Sequence, residues 1–486
     1  MNSRFMDDPA VGAIGQAINR LYLADETQVV REYLEVARLP AADAAEVREL
    51  AIRLVEQVRR NRAGKAGIEA FLQQYDLGSR EGVILMCLAE ALLRIPDADT
   101  ADRLIADKIA SGKWADHLGE ADSLFVNAST WGLMLTGKIV RPDESEASDP
   151  SGFLKRLVSR IGEPMVRGAF RQAMRIMGHQ FVMGRDIGEA LRRANDGAGA
   201  RYRYTFDMLG EAALTAQDAL RYFEAYSVAI REAGQAVTPG APPEAWPSVS
   251  IKLSALFPRY DYAHRDDVLE VLLPRIEALA VEARTAGMAF TLDAEEADRL
   301  ELSLELFDRL LALPALEGWA GLGLAVQAYQ KRALDVIRWI QRRADETGHT
   351  INVRLVKGAY WDAEIKRAQE RGLSGYPVFT RKQNSDVAYL ACARLIFAGT
   401  KRVYPQFATH NAHTAASIMQ MARTAGRDFE FQRLHGMGDE LYAEIVDETK
   451  FNLPCRVYAP VGSHEDLLPY LVRRLLENGS NTSFVN

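Results

Sequence analysis

Residues 351–361 read INVRLVKGAYW. The run Ile351–Val356 is apolar and rich in β-branched residues, which is typical of a buried strand. Lys357 and Gly358 follow directly at its end. Because side chains alternate along a strand, Arg354 and Lys357 are expected to point to different sides. This stretch predicts a short buried strand that ends in a charged side chain and a glycine.

The same texture recurs from about residue 200 onward, where short apolar runs alternate with amphipathic helices. The other seven runs are Tyr202–Met208, Ser248–Leu253, Ala289–Leu292, Gly321–Val326, Gln406–Thr409, Phe429–Leu434 and Asn452–Val457. Eight strand candidates separated by helices predict an α/β fold, a (β/α)8 TIM-like barrel over residues 200–486. A doubly wound open sheet is the competing interpretation.

The chain before residue 200 predicts an all-α N-terminal region, since its apolar residues recur at spacings of three and four. We expect a helical arm over residues 1–65 and a helical domain over 66–140. A linker with one helix should cover 141–199, because residues 141–152 (RPDESEASDPSG) are rich in turn formers and acidic charge.

Composition narrows the class of protein. Of the 486 residues, 48% are hydrophobic, which allows a large core, and the net charge of −7 argues against a general nucleic-acid binder. The three cysteines form no CxxC pair, which favours a reducing, cytoplasmic location. The N-terminus has no apolar signal segment, and no apolar run is long enough to cross a membrane.

Polar side chains fall at or just after the ends of the predicted strands. They are Glu211, Lys252, Asp293, Glu295, Gln327, Lys357, His410, His435 and Tyr458. In (β/α)8 barrels the chemistry lies at the carboxyl ends of the strands, so these residues are candidates for a site. For Lys252, Asp293 and Glu211, a structural salt bridge is an alternative of at least equal weight for any one of them.

The last predicted helix, within HEDLLPYLVRRLLENG (residues 464–479), carries two adjacent arginines. Arg473 and Arg474 lie about 100° apart around a helix axis, so both guanidinium groups can converge on one small carboxylate. The alternative is a solvated helix face on which Arg473 pairs with Glu477.

Metal and dinucleotide motifs are weak. His410 and His413 have HxxH spacing, but no third ligand is evident nearby, and we predict no metal site. A metal-dependent barrel hydrolase that uses these histidines and Asp293 remains an alternative. No GxGxxG sequence stands in the context of a Rossmann domain.

Several long motifs, in order, resemble the proline dehydrogenase half of bacterial proline utilization A. They are residues 81–96 (EGVILMCLAEALLRIP), 205–211 (TFDMLGE), 250–255 (SIKLSA), 354–361 (RLVKGAYW), 408–411 (ATHN), 429–438 (FEFQRLHGMG) and 458–462 (YAPVG), together with the terminal arginine pair. The resemblance covers nearly the whole chain and implies FAD-dependent oxidation of L-proline to pyrroline-5-carboxylate by hydride transfer to flavin N5. A folate-reducing flavin barrel is the nearer rival.

The resemblance also implies roles for individual residues. Asp293, Arg354 and Lys252 would be catalytic, and Arg354 would lie near flavin N5. The substrate would contact Lys252, Tyr360, Leu434, Tyr458, Arg473, Arg474 and Glu211, with Glu211 pairing with Arg473 as a gate. The cofactor would contact Ala294, Gln327, Arg354, Lys357, Gly358, Ala359, Trp361, Arg381, Thr409, His410, Cys455 and Glu477.

The resemblance further implies a quinone as electron acceptor, with peripheral contact at the inner face of the membrane. Some members of the family begin with a ribbon-helix-helix DNA-binding domain. The first residues here show no short basic strand of that kind, so we expect no nucleic-acid partner. The family continues into an aldehyde dehydrogenase domain, which leads us to expect a truncated chain. The oligomeric state is left open.

Overall fold

The computed structural model describes residues 18–62 and 181–462. Within them, parallel strands close into a barrel in which each strand pairs with its neighbours in chain order, and the last pairs with the first. The strands are β1 (Arg203–Met208), β2 (Ser248–Ile251), β3 (Ala289–Leu292), β4 (Leu322–Gln327), β5 (Ile351–Val356), β6 (Val403–Ala408), β7 (Glu430–Leu434) and β8 (Cys455–Val461). The (β/α)8 prediction is confirmed.

Helices surround this barrel and precede it. They are α1 (Glu26–Ala37), α2 (Ala41–Arg62), α3 (Ile187–Ala194), α4 (Ala216–Gly234), α5 (Leu253–Leu256), α6 (Arg265–Asp267), α7 (Leu273–Thr285), α8 (Leu300–Leu311), α9 (Ala333–Thr347), α10 (Trp361–Glu370), α11 (Lys382–Ala398), α12 (Ala412–Ala425) and α13 (Asp439–Val446). Local chemistry sets their ends: Thr215 and Asp218 form a capping box on α4, and Gly348 ends α9 at φ +74°.

Two strands, β6 and β8, differ from the sequence prediction by three or more residues at a boundary. Strand β6 begins three residues earlier than Gln406, and β8 runs from Cys455 to Val461 rather than from 452 to 457. Each strand contains a proline, Pro405 or Pro460, a residue that sequence patterns count against a strand. As a result Tyr458 lies inside β8 rather than after its end.

The barrel interior is polar, whereas branched apolar side chains usually fill such barrels. Near the amino ends of the strands, Arg456 donates from Nε to Glu430 Oε1 over 2.6 Å. Glu430 and Arg456 are 0% and 2% exposed. The apolar core lies instead between the strands and the helices, where Val353 and Leu355 of β5 are fully buried.

The helical arm packs against the outside of the barrel. Helix α1 contacts α11, and α2 contacts α12 and α13. Tyr33 of α1 is buried; its hydroxyl donates to the carbonyl of Lys331 over 3.1 Å and accepts from Leu334 N–H over 3.0 Å. Glu26 accepts from the backbone and side chain of Thr380. The arm is thus held by buried polar contacts as well as by apolar packing.

Tyr33→Phe should lower the free energy of unfolding by about 1–3 kcal/mol, because it leaves a buried N–H and a buried C=O of the barrel without their partner. Urea denaturation followed by circular dichroism measures the change. Leu34→Ala on the same helix is the matched control: Leu34 is 44% exposed, and its loss should cost less than about 0.5 kcal/mol. Equal effects of the two substitutions would contradict the proposed anchor.

The described residues all belong to one compact unit. Residues 181–199, predicted as part of a linker, contact β8: Met183 N–H donates to Pro460 O over 2.8 Å. The predicted boundaries at residues 65, 140 and 199 stay predictions. No helix among the described residues combines the length and apolarity that a membrane crossing requires.

Candidate active site

A buried ion cluster lies where β2, β3, β5 and β8 approach the mouth of the barrel, and Asp293 is at its centre. One carboxylate oxygen, Oδ1, accepts from Arg354 Nη1 over 2.8 Å and from Ser250 Oγ over 2.6 Å. The other, Oδ2, accepts from the Tyr458 hydroxyl over 2.6 Å. The guanidinium of Arg354 also lies 5.0 Å from the centre of the Tyr458 ring. Three strands thus converge on one carboxylate.

Lys252 extends the cluster toward β1. Its Nζ lies 2.5 Å from Asp207 Oδ1 and 3.4 Å from Asp293 Oδ2. Asp207 is fully buried and Lys252 is 6% exposed. Together with Arg354, the cluster therefore holds two carboxylates and two cations, and the formal charges balance. Such balance is what makes buried charges tolerable in a low-dielectric interior.

The electrostatics of the cluster fix its protonation states. Burial alone would raise the pKa of Asp293, but Lys252 and Arg354 hold that pKa below its usual value. Burial would lower the pKa of Lys252, yet the surrounding anions raise it well above the ordinary lysine value. Burial and the nearby Asp207 raise the pKa of the Tyr458 hydroxyl. At neutral pH Asp293 is thus an anion, Lys252 a cation and Tyr458 a neutral hydrogen-bond donor.

Arg354 is held from below by β7. Its Nε donates to Gln432 Oε1 over 2.8 Å, and Gln432 Nε2 donates to Glu430 over 3.1 Å. A continuous series of hydrogen bonds therefore connects Arg456, deep in the barrel, with Asp293 at the mouth. Among the described residues, Arg354 Nη2 is buried with no hydrogen-bond partner. That N–H donor is available to a bound group.

The end of β5 places further predicted residues at the same mouth. Lys357 contacts the carboxylate of Asp386, so Arg354 and Lys357 have different partners, as strand alternation predicts. Gly358 has φ +138°, and a Cβ there would lie 2.5 Å from the Tyr329 ring. Its backbone therefore follows a path that a larger residue would strain. Trp361 Nε1 donates to the carbonyl of Phe379 over 2.8 Å.

The remaining mouth residues lie at or after the ends of β3, β4, β5, β6 and β7. Gln327, the last residue of β4, donates to Ala294 O over 3.3 Å. The ring of His410 accepts Leu434 N–H at Nε2 over 3.1 Å, and Thr409 is buried beside it. Ala359 and Tyr360 follow Gly358 and are partly buried. These predicted residues all lie at the carboxyl ends of the strands.

The remaining predicted residues are a mixed group. Cys455 is the first residue of β8, at the opposite end of the barrel, and its buried thiol faces the Arg456 carbonyl. A cofactor contact by Cys455 is therefore not supported. Arg381 is exposed just before α11, and Glu211 is partly buried three residues after β1. Arg473, Arg474 and Glu477, with the predicted terminal helix, lie outside the described residues.

Sequence reasoning missed three members of the site, namely Asp207, Ser250 and Gln432. Each lies inside a strand rather than at its end, and each appeared only within a longer motif. The signal was a charged or polar residue between buried apolar neighbours, since such a side chain needs a partner in the interior.

The cluster contains equal numbers of acidic and basic side chains, two of each. Among the described residues no group of three or more histidine, cysteine, aspartate or glutamate side chains is arranged to hold a metal ion. His410 is engaged with the backbone of β7 through the Leu434 N–H. A hydrolase site built from His410, His413 and Asp293 therefore finds no support in the part of the chain that the structure describes.

A closed parallel barrel with a charge-balanced cluster at its mouth is the architecture of a barrel enzyme. The family model for proline dehydrogenase matches residues 190–486, and a model described as the proline utilization A proline dehydrogenase N-terminal domain matches 13–59. The chain belongs to the proline dehydrogenase family.

Several bacterial proteins are similar to it over nearly the whole chain. The bifunctional protein PutA of Escherichia coli is 52% identical over 478 residues, which cover 97% of this chain and 36% of that protein. PutA of Rhizobium meliloti is 48% identical over 97% of this chain and 38% of its own length. A crystal structure of a Bradyrhizobium japonicum proline utilization A mutant aligns with a TM-score of 0.71 at 47% identity, over 96% of this chain and 46% of that one. The chain spans a little over a third of the length of these curated relatives.

One further match bears on the expectation of no nucleic-acid partner. A model described as the DNA-binding domain of proline dehydrogenase matches residues 67–181. This description weighs against the expectation of no nucleic-acid partner. That expectation rested on the net charge of −7 and on the absence of a basic first strand. A net charge averages over the whole chain and does not describe a local surface. All but one of the matched residues lie outside the described ones.

Proposed function

We propose that this chain oxidises L-proline to pyrroline-5-carboxylate with FAD as its cofactor. The observation that carries the proposal is the buried cluster of Asp293, Lys252, Arg354 and Tyr458 at the barrel mouth, in a chain of the proline dehydrogenase family. A quinone as electron acceptor and peripheral contact with the inner face of the cytoplasmic membrane belong to the same proposal.

The mouth fits a flavin in its donor set. Arg354 offers a buried, unpaired N–H. Lys357, the residue after β5, adds a second cation. Positive groups near the ring suit a cofactor that gains negative charge on reduction. Gln327, Gly358, Ala359, Trp361, Thr409 and His410 would contribute the remaining contacts, and Ala294 and Arg381 would add to them. When bound, FAD supplies the acceptor for the hydride and its two electrons.

The chain's own residues would bind and orient proline. Arg473 and Arg474 would hold the carboxylate through paired charge-assisted hydrogen bonds, joined by Lys252. Tyr360, Leu434 and Tyr458 would enclose the ring, and Glu211 would cover it by pairing with Arg473. Asp293 forms ion pairs with Lys252 and Arg354 and would hold both side chains in position. The substrate amine must be neutral, since its lone pair assists departure of hydride from the adjacent carbon.

An anaerobic absorbance spectrum of the purified protein tests the proposal. We expect flavin bands that bleach when excess L-proline is added, because the hydride leaves the substrate for the cofactor. Dithionite serves as the control, since it reduces any redox-active flavin whatever the substrate.

Two results would count against the proposal. Flavin bands that dithionite bleaches and L-proline leaves unchanged would keep the cofactor and reject the substrate. A colourless protein that retains its native fold and takes up no added FAD would reject the flavin itself.

A further inference from the structure

A second buried carboxylate, outside the ion cluster, lies beside the loop that follows β3. Glu364 is in the first turn of α10 and is 3% exposed. Its Oε1 accepts the backbone N–H of Ala297 over 2.6 Å. Ala297 belongs to the segment 293–299, the β3 loop, which begins with Asp293 and Ala294 of the proposed site.

Both backbone polar groups of Ala297 are hydrogen-bonded. Glu364 accepts the Ala297 N–H, and Arg332, at the start of α9, donates to the Ala297 carbonyl oxygen. Around it, Arg367 of α10 lies 3.4 Å from Glu296 and 3.3 Å from Asp298. The contacts that fix the β3 loop thus come largely from α10 and from the residues just after β4.

Helix α10 begins directly after the other loop of the site. Its first turn follows Gly358 and Tyr360, and Glu364 N–H donates to the Tyr360 carbonyl over 2.8 Å. Glu364 therefore connects two loops that carry proposed site residues, the β3 loop with Asp293 and the β5 loop with Lys357 to Trp361. The hydrogen bonds of Glu364 go to these loops, so we expect any effect on the reaction to pass through them.

We propose that Glu364 is a positioning residue, which ties α10 to the β3 loop through the Ala297 N–H and so holds Asp293 in place at the barrel mouth. This role rests on the proposed function only where turnover is concerned. The structural tie can be tested without turnover.

The tie depends on pH. Burial, with Asp298 and Glu296 adding to it, raises the pKa of Glu364 to about 7. The groups that face it or lie beside these partners are Arg367 and Arg371 of α10, Glu296 and Asp298 of the β3 loop, Glu301 of α8, Tyr329 after β4, Arg332 before α9 and Tyr22 of the arm. The carboxyl is therefore protonated and uncharged at acidic pH, and ionising it while it is buried is unfavourable.

The sign of the effect follows from linkage. In the closed form of the β3 loop, Glu364 is buried and accepts the Ala297 N–H; in a locally opened form, its carboxyl is exposed to water. Because the pKa of Glu364 is higher in the closed form, the carboxyl stabilises that form at low pH. That stabilisation is full below the ordinary glutamate value near 4.5 and is lost as pH rises to about 7. At higher pH the carboxyl is ionised in both the closed and the open form, so the stability difference between the two forms no longer changes with pH.

Hydrogen–deuterium exchange of peptides that cover the β3 loop tests the tie, with protection factors corrected for intrinsic exchange. Between about pH 5.5 and pH 8 we expect protection in the wild type to fall on the order of tenfold. In Glu364→Gln, which keeps an acceptor and carries no charge, the protection should stay constant with pH. In Glu364→Ala it should be low throughout, because the Ala297 N–H has lost its partner.

Peptides that cover residues 415–422 of α12, which carry no titratable side chain, are the internal control and should show no such dependence. Identical pH dependence of the wild type and Glu364→Gln would overturn the proposal. So would unchanged β3-loop protection in Glu364→Ala.

Turnover supplies the second readout. If the loop holds Asp293, Glu364→Ala should lower kcat/KM for L-proline about tenfold, and Glu364→Gln should restore most of it. A normal kcat/KM in Glu364→Ala would overturn the positioning role. Absence of proline oxidation in every variant, with the expected exchange pattern, would instead reject the proposed function and leave the tie intact.

Discussion

Glu430→Gln is expected to lower the free energy of unfolding by about 3–5 kcal/mol, because it removes the only charge that Arg456 contacts among the described residues while leaving the cation buried. Arg456 would keep its hydrogen bonds to the carbonyl oxygens of Tyr204, Trp246 and Glu244. These dipoles satisfy its donors without neutralising its charge. The new amide would also place N–H donors against the Arg456 guanidinium, which has no hydrogen-bond acceptor.

The measurement is urea denaturation at neutral pH, with the midpoint and slope both recorded. Glu49→Gln is the matched control, since Glu49 pairs with Arg53 over 2.7 Å on the exposed face of α2. That substitution should cost less than about 1 kcal/mol. If the two substitutions cost the same, the interior pair would be as well hydrated as the surface pair, and the argument from burial would fail.

A double-mutant cycle with Arg456→Met separates the pair from its surroundings. Contacting residues in one network usually show coupling of about 0.5–3 kcal/mol, and we expect a value at the upper end here. Arg456→Met also removes a donor to three carbonyl groups, so the double variant should remain less stable than the wild type. The predicted coupling would be contradicted if the double variant were less stable than the sum of the two single changes predicts.

The sequence predicted the barrel because its local signals agree with the fold. Ile351–Val356 and Ala289–Leu292 are apolar runs with clear ends, and both coincide with strands. The polar residues that follow them, Lys357 and Asp293, lie at the mouth for the same reason: every parallel strand of a barrel ends on one side.

The hydrogen-bond network inside the barrel could not be predicted from the sequence. Glu430 and Gln432 are two residues apart on β7 and share one side of the strand. Nothing in that run shows that Gln432 accepts from Arg354 and Glu430 from Arg456. Those pairings depend on the register between strands, which long-range packing sets. Asp207 belongs to the same class, because its partner Lys252 follows the next strand, 45 residues away.

The largest expected effect on activity is that of Asp293→Asn. Asparagine keeps the shape of the side chain but removes the charge that both Lys252 and Arg354 contact. Its amide group would turn donors toward either Arg354 and Ser250 or Lys252 and Tyr458, all of which already donate to Asp293 or carry positive charge. Either orientation disrupts the arrangement.

Truncating one partner of a buried, hydrogen-bonded charge pair costs about 2–5 kcal/mol, and each 1.4 kcal/mol corresponds to a factor of ten. We therefore expect kcat/KM for L-proline to fall at least about a hundredfold, measured with an artificial electron acceptor. Flavin absorbance relative to protein absorbance should be recorded in parallel, so that loss of cofactor is distinguished from loss of turnover.

Asp308→Asn is the matched control, since Asp308 contacts Arg343 over 2.6 Å on the outer helices, away from the mouth. Its activity should stay within about twofold of the wild type, as expected for a surface ion pair. Asp293→Asn with full flavin content and wild-type kcat/KM would contradict the assignment of Asp293 to the site. The buried charge cluster would then serve the stability of the barrel, and the substrate would have to be oriented by residues that do not contact Asp293.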